Sequence, residues 1–228
     1  MNDFVRVAAV CLASVTLLPA IPISSLYSTG VDNAGALLVG GNGVVDPHYT
    51  LLSGPGVVGT PSAVSYYNAA YLADGSSSRW ISVDATGSHD AGDYVVRTTF
   101  NLTGFNLALT SLSFICGVDN RVADVQINGT SVFGLGNSCD SYVNLGLPRL
   151  INSNFLAGVN TLDFTVRNDA GGEPMAFRAD YTSDTTPLST SEVPEPGTLL
   201  LSAAGIAALQ ILRLRRFRRA RRSALHAA

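Results

Sequence analysis

Tyr94-Val95-Val96-Arg97-Thr98-Thr99-Phe100-Asn101-Leu102 is the stretch that decides the fold. β-Branched and aromatic residues dominate it, the side chains that pack best on a pleated, half-buried surface. Apolar Leu102, Phe105, Leu107 and Leu109 continue across a Thr103-Gly104 break. Further along, Leu112, Phe114 and Cys116 alternate with Ser111, Ser113 and Ile115, which spells a strand with one buried face. Asn128-Gly129 separates Val122–Ile127 from Thr130–Phe133, and Asn-Gly supplies both positive-φ positions of a type I′ hairpin turn. Leu162, Phe164 and Val166 alternate with Asp163, Thr165 and Arg167, and Met175–Tyr181 reads as a closing strand. Nothing between Leu26 and Asp184 repeats at helical spacing for more than two turns. The expectation is all-β: a single jelly-roll or β-sandwich domain over 26–184, large enough at about 160 residues to bury a substantial core.

The flanks differ in kind. Asp3 and Arg6 precede an apolar stretch from Val7 to Leu18, followed by Pro19, Pro22 and the small residues Ser24 and Ser25, the layout of a secretory signal peptide over 1–25. At the other end, 185–192 reads as a linker, followed by Val193-Pro194-Glu195-Pro196-Gly197, whose prolines exclude helix and central strand. The uncharged run 198–212 is expected to be a transmembrane helix. Its 15 residues give only about 22 Å. Counting Gly197–Phe217, with arginine stems snorkelling, gives about 31 Å, enough to span. Arg213, Arg215, Arg216, Arg218, Arg219, Arg221 and Arg222 would hold the C-terminus in the cytoplasm and place the body of the protein on the far side.

Those seven arginines hide the domain's own charge. The whole chain is at −3, with 14 basic and 17 acidic side chains and no lysine. Between Asp32 and Asp184, six arginines face fourteen acids, a net of −8. Such a surface excludes nucleic acid as a partner.

The order of three unlike parts at the C-terminus, Val193-Pro194-Glu195-Pro196, a short apolar helix and an arginine-rich end, resembles the PEP-CTERM sorting domain of exopolysaccharide-making bacteria. The resemblance implies recognition of Val193–Pro196 by an exosortase-type membrane protease after passage through the export machinery. It also implies transient insertion in the cytoplasmic membrane, then a place at the cell surface or in the extracellular matrix. Ser223–Ala228 extend beyond the basic cluster, where many members stop. The stretches Tyr94–Phe105, Gly117-Val118-Asp119-Asn120, Gln126-Ile127-Asn128-Gly129 and Gly158–Phe164, with Thr29-Gly30-Val31-Asp32 and Val45–Tyr49, look like the exported β-sandwich domain often found upstream of such signals. More distantly they are similar to galactose-binding-like jelly rolls, which bind carbohydrate or pack against catalytic domains.

With Cys11 removed alongside the signal peptide, Cys116 and Cys139 remain as a pair bound for an oxidising compartment, where a disulfide is expected and two buried thiols are the alternative. Carbohydrate binding points to Tyr66, Tyr67, Tyr71 and Trp80, aromatics concentrated in a loop-rich region with Asn68 and Asp74 nearby, against the alternative that these rings fill a core. Calcium is the one metal the acids suggest, at Asp119, Asn120 and Asp124 or at Asp84, Asp90 and Asp93, since hard oxygen ligands suit it; the alternative is solvated loop acids. No other cofactor is implied. Catalysis has little to build on: His48 and His89 are the domain's histidines, no Gly-x-Ser-x-Gly elbow or metal-binding histidine spacing occurs, and paired carboxylates arise by chance among fourteen acids. A surface protein that binds or organises polysaccharide is the leading expectation, with a ligand-free structural protein and an exported hydrolase behind it.

Overall fold

A computed structural model describes residues 20–133 and 139–186. The apolar run of the expected signal peptide, the Pro-Glu-Pro motif, the expected helix and the arginine tail lie outside these residues. Among the described residues there are twelve strands: β1 Val45–Ser53, β2 Ser62–Ser65, β3 Ile81–Ser82, β4 Ser88–His89, β5 Gly92–Asn101, β6 Ser111–Asp119, β7 Arg121–Ile127, β8 Thr130–Phe133, β9 Arg149–Ile151, β10 Val159–Asn168, β11 Glu173–Pro174 and β12 Ala176–Asp184. Ten form one antiparallel sheet, ordered β8-β7-β10-β5-β1-β2-β3-β12-β6-β9, and β4 with β11 makes a small ribbon.

The expected sandwich is thus one continuous hydrogen-bonded sheet, rolled so that its halves face each other. Phe164 on β10 shows how. Its ring lies 5.4 Å from Phe114 on β6 and 4.6 Å from Phe177 on β12, so strands remote in the hydrogen-bonding order meet across the core. The chain crosses between halves from β5 to β6, returns to β7, and crosses again on either side of β9, so the two halves are interleaved in sequence.

The β-branched and aromatic stretch from Tyr94 forms most of β5. Tyr94, Val96, Thr98 and Phe100 point inward, paired without a break against β10 from Gly92↔Asn168 to Asn101↔Val159. Outside, Arg97 grips Asp163 through two hydrogen bonds of 2.6 Å. The Asn128-Gly129 turn has φ of 51° and 77°, as a type I′ turn requires. Beyond the Thr103-Gly104 break the apolar residues do not prolong the strand. Asn106 accepts a hydrogen bond from the Ala108 amide and caps a single 3-10 turn, Leu107–Leu109.

Residues 21–25, expected to leave with the signal peptide, are built into the domain. Ile21 and Thr185 exchange backbone hydrogen bonds of 2.8 and 3.0 Å. Ile23 is 2% exposed and donates its amide to Ser183 Oγ, while Ser25 Oγ accepts from the Asn101 amide. Cutting after Ser25 would empty a core position, so the boundary expected there falls inside the fold.

Candidate functional site

β6 and β12 run side by side in full register and divide their side chains between two worlds. Leu112, Phe114, Cys116 and Val118 face the core; Ser113, Ile115, Gly117 and Asp119 alternate with them and face outward. Opposite the outward set stand Ala176, Arg178, Asp180 and Thr182 of β12. Two loops, 66–80 and 139–148, fold over this outer face. The second is tethered by a disulfide between Cys116 and Cys139, whose Cα atoms are 5.3 Å apart.

Under the loops sits a second aromatic cluster, separate from the main core: Trp80, Tyr71, Tyr66 and Ala176. Trp80 is fully buried and donates its indole N–H to Leu72 O at 2.8 Å. Its ring lies 4.9 Å from Tyr71, which lies 6.1 Å from Tyr66 and 5.3 Å from Tyr142. Gly117 makes room, because a Cβ there would come within 2.7 Å of Trp80 Cη2. Three of the four aromatics expected to stack on sugar therefore have covered faces. Tyr67 is 41% exposed, and Tyr142, which the sequence reading missed, is 38% exposed. No pattern in the sequence marks Tyr142; the Leu72 amide, donating to Tyr142 O at 2.7 Å, sets it beside Tyr71.

Asp119 and the tyrosines, separate in the sequence reading, meet here. Tyr71 donates its hydroxyl to Asp119 Oδ2 at 2.9 Å, and Asn120 Nδ2 donates to Oδ1 at 2.9 Å. Burial pushes the Asp119 carboxyl above its ordinary value and Glu173 adds to this, against the lowering effect of the Tyr71 hydrogen bond. The Tyr71 hydroxyl is pushed up by burial and by the charge of Asp119. Asp124 does not join them; it accepts from Gln126 Nε2 at 2.8 Å on β7 and from Ser131 Oγ at 2.6 Å on β8. In the other acidic set Asp84 accepts from the Thr86 amide and hydroxyl, Asp93 pairs with Arg167, and Asp90 O accepts from Tyr94. Among the described residues no three His, Cys, Asp or Glu side chains gather as a metal site.

Cations pin the first loop from beneath. Arg178, 3% exposed, donates Nε to Ser78 Oγ and Nη1 to Ala73 O, both at 2.8 Å, and burial lowers its pKa. Arg79 pairs with Asp74 at 2.8 Å and reaches Leu38 O.

A Ser, a His and an Asp do come together near the β4–β11 ribbon. His89 Nε2 is 3.2 Å from Ser82 Oγ and 3.8 Å from Asp84 Oδ1. Both neighbours address the same ring nitrogen, whereas a relay needs the acid on one nitrogen and the nucleophile on the other. Ser82, 2% exposed, gives its proton to Met175 O at 2.5 Å. The other histidine, His48, is stacked on Tyr27 at 3.7 Å and sits 3.0 Å from Asp32 O.

The C-terminal segment carries the clearest likeness to known proteins. Residues 192–219 match the PEP-CTERM protein-sorting motif. A PEP-CTERM motif marks an exported protein with a C-terminal sorting signal, processed by exosortase-type machinery. The match covers that segment alone, and the β-domain lies outside it. No curated protein and no solved structure matches the chain.

Proposed function

We propose that this is a surface or matrix protein whose β-domain holds polysaccharide outside the cell. In this reading the apolar run 198–212 lodges in the cytoplasmic membrane during sorting, and cleavage near Val193–Pro196 releases the domain. The observation that carries it is the aromatic cluster that surfaces at Tyr142: a half-exposed ring backed by Tyr71, with Leu72 and Val143 exposed near it. Sugar rings stack on such a face while hydroxyls and carboxylates at the rim fix their orientation. No catalytic step and no cofactor belong to it.

Retention of the exported protein on its host's own exopolysaccharide tests the reading. Tyr142→Ala should reduce retention at least tenfold with the fold intact, and Tyr67→Ala should reduce it less. Equal retention of both variants and the wild type would rule out this rim. A purely structural role is the second reading, favoured by the complete burial of Trp80; it expects no retention by any form.

A further inference from the structure

South of the roofed aromatics, on the same outer face, β6 and β12 frame a cavity of about 400 Å³. Ser113, Ile115 and Pro148 form one side; Ser77, Asp180 and Thr182 form the other. Its composition is that of a small-molecule site: mostly apolar wall with few, fixed polar groups. Asp180 is the fixed point. Its Oδ1 accepts from Ser28 Oγ at 3.1 Å, and its Oδ2 accepts from Ser77 and, at 3.5 Å, from Ser78. Those three hydroxyls come from two separate segments, so the carboxylate is oriented before any ligand arrives.

We propose that this cavity binds a neutral pyranose unit, with the ring's C–H face against Ile115 and Pro148 and its hydroxyls meeting Asp180, Ser77, Ser113 and Thr182. The inference rests on the polysaccharide-binding reading and names the sugar class for it. Each ingredient has a chemical reason. Aliphatic side chains cover the apolar face of a sugar ring. Serine and threonine hydroxyls both donate and accept, as sugar hydroxyls do, and an ionised carboxylate accepts only, so it takes the proton of a sugar O–H. A charge-assisted hydrogen bond of this kind is about twice as strong as a neutral one. No cationic side chain lines the cavity, and the nearby Arg178 guanidinium is spent on Ser78 and Ala73. A uronate, sulfate or phosphate would meet the Asp180 carboxylate at the wall, while the buried Arg178, which attracts Asp180 from behind, turns its donors to Ser78 and Ala73, which sets the preference against anionic sugars. The cavity also opens on the outside of the sheet, so a residue within a long polymer can occupy it.

The test uses the exported protein purified from its host, titrated with neutral hexasaccharides of glucose, galactose and mannose and with a polyuronate hexamer. Wild type should bind at least one neutral hexamer and bind the polyuronate at least tenfold more weakly. Asp180→Asn should weaken the neutral hexamer at least tenfold. Ser113→Gln, which fills the floor without touching the Asp180 hydrogen bonds, should do the same and guards against a folding effect at Asp180. Neutral binding that both variants leave unchanged while Tyr142→Ala abolishes it would overturn the cavity and leave the rim standing. Tighter binding of the polyuronate would overturn the sugar class. No binding of any hexamer by wild type, with no retention on host polysaccharide, would sink the inference and the reading beneath it together.

Discussion

The two aromatic clusters of this domain are built from different chemistry. Between the sheet halves, Phe114, Phe164 and Phe177 pack ring against ring with no polar atom to satisfy. Outside β6 and β12, Trp80 and Tyr71 each carry a polar handle with a partner, Leu72 O and Asp119. A phenylalanine core needs only exclusion of water, and long strands in register supply it. An outer cluster roofed by loops must also satisfy every donor, and it leans on buried Arg178 and a disulfide to hold the roof. The inner cluster therefore fixes the fold, and the outer one fixes the shape of a surface.

The largest effect should come from breaking the inner cluster. Phe164→Ala is expected to cost about 4 kcal/mol by lost burial and the cavity left behind, and to lower every thermal-unfolding probe together. Trp80→Ala should cost about 3 kcal/mol but act locally: hydrogen exchange should quicken in residues 66–80 and 139–148 and leave β5 and β10 protected. Uniform quickening would mean that the two clusters are one.

Acid titration separates the regions by their carboxyls. Asp46, fully buried, is held at about 6 by burial, against the lowering effect of amide donors from His48 and Gly30. Its value is raised above the unfolded 3.8, so the folded state keeps the proton longer. Stability from this group is then complete below pH 4 and declines as pH rises to about 6, by about 3 kcal/mol. Asp119 is shifted in the same direction. Asp46→Asn should flatten the slope of denaturant midpoint against pH in that window, and an unchanged slope would assign it elsewhere. Smallest of all, Tyr142→Ala should change stability by under about 0.5 kcal/mol, because its ring already half faces water. A larger loss would make Tyr142 part of the roof.

The alternating strands were legible: β5, β6 and β10 sit where the pattern puts them, as does the turn at Asn128-Gly129, and the closing strand read over Met175–Tyr181 is β12, which runs three residues further. The cysteine pair and the sorting motif were legible too. Short β2 and β3 were not, because four and two residues are too few to show a period. For Trp80 the sequence left both stacking on sugar and burial in a core open, and burial is what the structure shows. The region around it read as loop-rich, and only the partner strand reveals what that loop covers. Residues 21–25 join the fold although they follow an apolar run, because small residues there look alike whether they precede a cut or enter a sheet. Mass spectrometry of the exported protein should find Ile21–Ser25 retained, and a chain beginning at Leu26 would refute that.

The paired hydrogen bonds between Ile21 and Thr185 make the domain a closed circuit. A chain exported from its N-terminus sends out one half of this clasp first and the other almost last. The circuit closes only when residue 185 has crossed, so this clasp is among the last contacts of the domain to form. The Pro-Glu-Pro motif lies just beyond. Processing of the sorting signal then acts on a domain whose two ends are already tied together.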